Sequence, residues 1–474
     1  MIMENNEKKL GFFGLVFLII GAMIGGGVFS LPSQLAEGAG PFAIMIGWLI
    51  TGIGVFGLAF VYQMLSSKKP DLTGGIFSYA SEGFGKYIGF NSAWIYWLSS
   101  IFGDVAYATL IFGSLSYFFN IFNPNGNNWP SIIGGSLIIW VVNFLVLKGV
   151  KEAVLVNAIV TISKILPIIL FIIVCIVFFN FKNFTFEFWG NPHLGGIFTQ
   201  VKSTMIAALW SFVGIEGAVV VSGRAKSQKD VGKATIVGLS SAIAIYILIT
   251  ILALGVMKRP ELASLHNPSL AYILQAAIGK WGAIIINIGL IIALTGALLG
   301  WTVITAELPY VAAKSGVMPK ILAKENKFES PSISLWLTTI VTQILLLFSH
   351  FSNSGYQVLY TIASTAILIP YFLSALYSLK LTFTEGKNNF KLKDCIISII
   401  AVIYTVWILY AAGVKYILLN CILFAIGLIF FIWAKKERKE KLFDAWYEVI
   451  IAIIIVILGI LAIYLLATGK VSAF

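Results

Sequence analysis

Charge is scarce in this 474-residue chain. Only 11% of its residues are Asp, Glu, Lys or Arg, 59% are hydrophobic, and the mean hydropathy is +0.95. A soluble chain is typically about a quarter charged, because its surface faces water. So few charges cannot cover the three soluble domains that this length would otherwise hold. Histidine and cysteine are also rare, with 3 of each. Cys175, Cys395 and Cys421 lie in or beside apolar segments without disulfide, redox or metal spacing, and read as packing residues. His193, His266 and His350 lie near loops, and no catalytic constellation or metal spacing appears. The sequence therefore predicts no enzyme, no cofactor and no metal. Disorder, a coiled coil and a secreted disulfide scaffold are excluded by the same composition.

What the chain has is long apolar runs. A helix crossing the hydrocarbon of a bilayer needs roughly 20 apolar residues. About thirteen stretches qualify, at residues 11–36, 41–65, 87–120, 130–147, 153–180, 203–222, 233–256, 281–312, 333–350, 355–379, 395–412, 415–434 and 446–467. They predict an all-α polytopic membrane protein.

Of the 32 lysines and arginines, this alternation puts 24 on the side of the N-terminus and 7 on the other, and leaves Lys164 inside a span. That bias is the positive-inside pattern. It places the N-terminus in the cytoplasm, and an odd number of spans places the C-terminus outside. The net charge of +12 is then a cytoplasmic rim, which argues against a nucleic-acid partner. Lys8 and Lys9 resemble the start of a signal peptide. The apolar stretch runs on past Ser30 with no small-x-small cleavage site, so it reads as a retained first helix. The longest loops, at 180–202, 257–280 and 313–332, span roughly twenty residues and are too short for a soluble domain. Any chemistry sits among the helices.

Two spans look broken. The first contains Gly21-Ala22-Met23-Ile24-Gly25-Gly26-Gly27-Val28-Phe29. Each glycine weakens a helix by about 1 kcal/mol relative to alanine, so three in a row predict unwinding. Unwound backbone at membrane depth persists only where it is buried in protein or lines a cavity. Close packing through small residues is the alternative, but such motifs space their glycines by four. The sixth span reads Trp210-Ser211-Phe212-Val213-Gly214-Ile215-Glu216-Gly217, with two glycines flanking an intramembrane carboxylate. Interrupted helices at matching positions of two halves point to a transporter of inverted repeats. The expected halves are helices 1–5, at 11–180 after a cytoplasmic segment 1–10, and helices 6–10, at 203–379. Helices 11–13, at 395–467, are accessory. Half-helix N-termini suit a carboxylate and half-helix C-termini suit an ammonium, so a paired break suits an α-amino acid.

These two stretches resemble the amino acid–polyamine–organocation superfamily. Within it the chain is similar to the basic amino acid antiporters of the arginine/ornithine and histidine/histamine type. Further matches are Lys69-Pro70-Asp71-Leu72-Thr73-Gly74-Gly75 with Tyr79-Ala80, Lys148-Gly149-Val150-Lys151-Glu152-Ala153, and Arg224-Ala225-Lys226 leading to Asp230-Val231-Gly232-Lys233-Ala234-Thr235. The resemblance covers essentially the whole chain. It implies a five-plus-five inverted-repeat core and a bacterial inner membrane. The partners it implies are lipid and small amino acid and amine substrates, and it leaves a homodimer open.

The resemblance also implies residue roles. Carbonyls at Met23, Trp210 and Val213 would meet the substrate amino group, and amides at Gly26 and Gly27 its carboxylate. Many relatives carry serine where this chain has Gly26, so a hydroxyl contact is lost while the backbone donor remains. Ser99, Ser100, Asp104, Tyr107, Ala363 and Ser364 would complete the pocket. Trp210 would cover the substrate and Trp301 would pack against its side chain. Tyr96, Glu216 and Tyr371 would gate the inner side. Lys164 would occupy the place of a sodium ion, which implies sodium-independent transport; snorkelling toward the inner face is the alternative.

Asp104 departs from the pattern, since relatives usually carry an uncharged residue there. A charge at mid-membrane is a functional hypothesis by default. It would favour a cationic substrate tail; an internal ion pair or a proton-bearing acid is the other reading. Glu307 is expected at the interface. The expected function is exchange of an external cationic amino acid for its metabolic product. The rivals are a proton-coupled uptake permease and an exchanger of a neutral aromatic amino acid for its amine.

Overall fold

The computed structural model describes residues 12–72, 75–149, 154–216, 228–351, 355–384 and 390–470. The motif positions Thr73, Gly74, Val150–Ala153, Gly217 and Arg224–Lys226 lie outside the described residues. Among the described residues, sixteen helices of eight or more residues follow in chain order: α1 (Phe12–Met23), α2 (Leu31–Gly38), α3 (Pro41–Lys68), α4 (Ile76–Phe84), α5 (Lys86–Leu115), α6 (Trp129–Leu147), α7 (Val154–Val177), α8 (Ile197–Trp210), α9 (Gln228–Val256), α10 (Ser269–Ile278), α11 (Lys280–Lys314), α12 (Ser332–Phe348), α13 (Gly355–Thr384), α14 (Leu392–Ala412), α15 (Val414–Arg438) and α16 (Trp446–Ala467). Among the described residues, 11 helices are long and apolar enough to cross a membrane. The two expected spans missing from that set are the first and the sixth, the two whose sequence predicts a break.

The helices run beyond the apolar stretches that announce them. The ninth begins at Gln228, and its first turns carry Lys229, Asp230 and Lys233. Hydropathy marks the part in hydrocarbon, while the backbone hydrogen bonds continue into water. Two segments read as loops also hold helices, α4 and α10, each too short to register as a span.

Burial sorts the helices. Every residue of α5 from Tyr87 to Ser114 is buried, and α5 packs against α13, α11, α4, α12, α6 and α15. A polar side chain on α5 therefore has only protein or a ligand to satisfy it. Helix α16 is the opposite case, with Ile450, Ile453, Ile457 and Ile460 exposed. An isoleucine stripe of this kind belongs in lipid. Close approaches use glycine: a Cβ on Gly54 of α3 would fall 2.0 Å from the Tyr404 ring of α14. The tight reversal between α14 and α15 turns on Gly413 at φ 88, a region open to glycine without steric cost.

The lysine-rich ends are tied together by polar contacts. Arg438 at the end of α15 donates to the carbonyls of Met318 at 2.9 Å and Ala313 at 2.8 Å, capping the end of α11. Glu440 accepts from Lys86 at 2.9 Å and Lys435 at 3.0 Å, and Lys68 pairs with Asp394 at 3.2 Å. At the opposite face Gln357 donates to Glu37 at 2.6 Å, and Arg259 to the Ala36 carbonyl at 2.9 Å.

Candidate functional site

The first break forms where the glycines predict it. Helix α1 stops at Met23, and Gly25 is extended at φ −97, ψ −163. A short 3-10 turn runs from Gly26 to Phe29 before α2 begins at Leu31. A helix start leaves its first N–H groups without intrahelical acceptors, and a helix end leaves its last carbonyls without donors. Both kinds of orphan group are brought together inside the protein, since Met23, Gly26 and Gly27 are all buried.

The second break follows Trp210. Residues 211–216 form turns, with Phe212 N–H donating to the Leu209 carbonyl at 2.8 Å and Gly214 at φ 102. The two breaks meet at one side chain that the sequence reading missed. The Tyr246 hydroxyl of α9 lies 2.8 Å from the Met23 carbonyl and 2.8 Å from the Ser211 carbonyl. It has one proton for two acceptors, and the Met23 carbonyl also accepts from the Gly25 N–H at 2.8 Å. Nothing in the sequence singles it out, since the same helix also carries Thr235, Ser240, Ser241 and Thr250.

Trp210 closes the site toward the face opposite the lysine-rich one. Its Nε1 donates to the Tyr356 hydroxyl at 3.2 Å, and its ring lies 6.1 Å from that of Tyr360. Tyr356 and Tyr360, four residues apart on one face of α13, were also missed. Beyond them opens a cleft of about 380 Å³ lined by Gln34, Glu37, Ser203, Gln357, Tyr360 and Thr361. A Cβ on Gly27 would stand 2.6 Å from Trp210 Cδ1, so the tryptophan lies directly on the first break.

Toward the lysine-rich face Glu216 is held from both sides. Tyr96 donates to its Oε1 at 2.6 Å and Tyr371 donates to its Oε2. Tyr62 stacks edge-on against Tyr371 at 5.8 Å. Of the three residues expected on this side, the two tyrosines thus converge on the carboxylate of the third.

Between these closures lie the expected pocket residues of α5 and α13. Ser99 donates to the Ala363 carbonyl at 2.7 Å, Ser100 to the Tyr96 carbonyl at 3.0 Å and Ser364 to the Tyr360 carbonyl at 2.7 Å. All three hydroxyl protons are committed, so these serines present lone pairs. Such a lining suits a donor-rich ligand such as an ammonium or guanidinium. Asp104 is 3% exposed, with Oδ2 3.3 Å from Thr305 Oγ1. Tyr107 lies against the first break, its hydroxyl 3.3 Å from where a Gly25 Cβ would be. Val213 sits half-buried in the second break. Trp301 enters less directly than expected: its carbonyl accepts from Thr305 at 2.7 Å, and its ring is half-buried at the edge of the core. Lys164 of α7 donates to the Gly21 carbonyl, tying that helix to the unwinding end of α1. Glu307 is exposed.

Comparison with known proteins finds similar chains over nearly the whole length. The sequence model of the family described as amino acid permease matches residues 10–420. An arginine/ornithine antiporter of Pseudomonas aeruginosa is 43% identical over 465 residues, covering 96% of each chain. An arginine/agmatine antiporter of Chlamydia caviae is 44% identical over 480 residues, covering 98% of each. An arginine/agmatine antiporter of Chlamydia pneumoniae is 42% identical, covering 99% of each.

Proposed function

The chain belongs to the amino acid permease family, and on that premise we propose that it exchanges an external cationic amino acid, arginine in the first instance, for a product of the ornithine or agmatine class. The observation that carries the reading is the meeting of the two helix breaks at Tyr246. It gathers helix-end carbonyls, suited to an ammonium, and helix-start N–H groups, suited to a carboxylate, in one buried place. The acceptor lining of Ser99, Ser100 and Asp104 supports a cationic tail.

Exchange proceeds by alternating access between the Trp210 closure and the Glu216 closure. Residues 11–180 and 203–379 act as the two inverted halves and 395–467 as accessory helices. The lysine-rich face is cytoplasmic, in a bacterial inner membrane. Trp301 packs against the substrate side chain, and Lys164 serves in place of a sodium ion. Counterflow in proteoliposomes tests the reading. Vesicles loaded with ornithine or agmatine take up labelled arginine, and empty vesicles take up little. Equal uptake by empty vesicles overturns obligatory exchange in favour of a uniporter or proton-coupled permease. Uptake driven by histamine and selective for histidine would replace the substrate pair.

A further inference from the structure

We propose that Asp104 is a proton–cation swap site: it holds a proton while no cationic group occupies the pocket, and releases that proton when a cationic substrate tail binds. The inference rests on the exchanger reading above and deepens it.

The argument is a count of protons. Thr305 Oγ1 lies 2.7 Å from the Trp301 carbonyl and 3.3 Å from Asp104 Oδ2. A carbonyl has no proton to give, so the shorter contact uses the single proton of the Thr305 hydroxyl. Thr305 then turns a lone pair toward Asp104. Two oxygens facing each other need a proton between them, and only the acid can carry it. The other oxygen, Oδ1, is buried with no hydrogen-bond partner among the described residues. In its ionised form Asp104 would therefore be a buried carboxylate with no donor on either oxygen, a disfavoured arrangement. In its neutral form it donates to Thr305 and the contact is complete.

Among the described residues, no cation on the elements packed against α5 lies beside Asp104. On α5 itself the other titratable groups are Lys86, at the far end and paired with Glu440, and Tyr87, Tyr96 and Tyr107. Tyr107 faces the first break beside Gly25, and Tyr356 of α13 accepts from Trp210. The remaining ionisable groups of α13 are Tyr360, Tyr371, Tyr377 and Lys380, and Lys380 donates to the Gly83 carbonyl at 2.6 Å. On α11, Glu307 is exposed and Tyr310 lies toward the lysine-rich end beside Lys314. On α4, Glu82 is exposed, and its Tyr79 stacks on Tyr377 at 6.4 Å. Helices α6 and α12 contain no charged residue. The charges of α15 lie at its ends, with Lys415 at one and Lys435, Lys436, Glu437 and Arg438 at the other. Glu216 is held by Tyr96 and Tyr371.

A guanidinium or ammonium supplies what the ionised acid lacks. The step balances: the protonated acid plus a bound cation gives a carboxylate–cation pair and one proton released to water. A neutral amino acid binds the protonated acid and releases none. Selectivity for cations over neutral substrates therefore falls tenfold per pH unit below the midpoint of the swap.

The test uses the purified full chain. Arginine binding is measured by calorimetry between pH 5 and 8 in buffers of different ionisation heat, with alanine as the neutral probe. The expected result is one proton released per arginine in the range where Asp104 starts protonated, and a dissociation constant that rises tenfold per unit of acidification. Alanine shows neither effect, and Asp104→Asn abolishes both. Arginine binding without proton release overturns the proposal, as does release that survives Asp104→Asn. The wild-type measurement stands alone if the variant fails to fold. Counterflow run in parallel separates the two readings: exchange without proton release removes only the swap, whereas no exchange removes the antiporter.

Discussion

Replacing Gly27 by alanine is a test of where the lid sits. The added Cβ would lie 2.6 Å from Trp210 Cδ1 and 2.9 Å from its Nε1. Non-bonded carbons rest about 3.5–4.0 Å apart, so the ring must retreat by about 1 Å. Trp210 is 8% exposed and cannot withdraw without disturbing its neighbours. Its bond to the Tyr356 hydroxyl is already 3.2 Å and would not survive that shift. Overpacking costs about 1–3 kcal/mol, and a lost neutral hydrogen bond about 0.5–1.5 kcal/mol. The closed lid is then destabilised by about 2–4 kcal/mol, which lowers arginine affinity by a factor between about 30 and 700. Gly26→Ala is the matched control. Its Cβ would meet Leu294 Cδ2 at 2.5 Å, the tip of a flexible side chain that can turn away, so the loss stays near tenfold or less. Trimming the lid in the same background, with Trp210→Leu, relieves the clash, so the two losses are not additive. Equilibrium binding of labelled arginine to the four purified variants is the assay. Unchanged affinity in Gly27→Ala, or simple additivity with Trp210→Leu, refutes the placement of Trp210 on the first break.

Three other perturbations follow from single contacts. Tyr246→Phe removes the hydroxyl shared by the Met23 and Ser211 carbonyls; Met23 keeps its bond from the Gly25 N–H, so the Ser211 carbonyl is the group left unmet, at a cost of about 1–3 kcal/mol; a lower midpoint in thermal unfolding together with slower exchange is expected, and an unaltered protein removes Tyr246 from the site. Lys164 places a fixed ammonium against the Gly21 carbonyl, so arginine exchange should be indifferent to replacing sodium by potassium or choline; a strong sodium requirement refutes this role. Glu440 is held down to about 2 by its bonds from Lys86 and Lys435. A lowered carboxyl pKa stabilises the fold above the ordinary carboxylate range and loses that effect as pH falls toward 2. Thermal midpoints of Glu440→Gln should therefore lie below wild type by a constant amount from pH 5 to 8 and converge with it in strong acid.

Much of the architecture was legible because lipid imposes a simple grammar. The last span, expected at 446–467, is helix Trp446–Ala467, an apolar run interrupted only by Glu448, whose carboxylate caps its start by accepting from the Asp444 and Ala445 N–H groups. Span starts were less legible where a helix leaves the hydrocarbon, as at Gln228. The site divides the same way. Gly25, Gly26 and Gly27 announce the first break because glycine acts locally. Glu216 announces buried partners because a charge inside a span demands them. Tyr246, Tyr356 and Thr305 were invisible because nothing local marks them. Each matters only through what folding sets opposite it: two carbonyls, a tryptophan nitrogen and a carboxylate.

The second break brings the two aromatic-held ends of the site onto one segment. Trp210 and Glu216 stand at opposite ends of one short non-helical segment, residues 211–216. Trp210 holds one closure through Tyr356, and Glu216 holds the other through Tyr96 and Tyr371. Between them, the Ser211 carbonyl is fixed to Tyr246, which also holds the end of α1. An unbroken helix would bury its own carbonyls in its ladder, and a long loop would leave the two side chains in no fixed relation. The interrupted helix instead leaves backbone groups free at mid-segment and sets Trp210 and Glu216 at the two ends of one short turn, each held by tyrosines of neighbouring helices, with the Ser211 carbonyl beside Trp210 tied to the hydroxyl that also holds the end of α1.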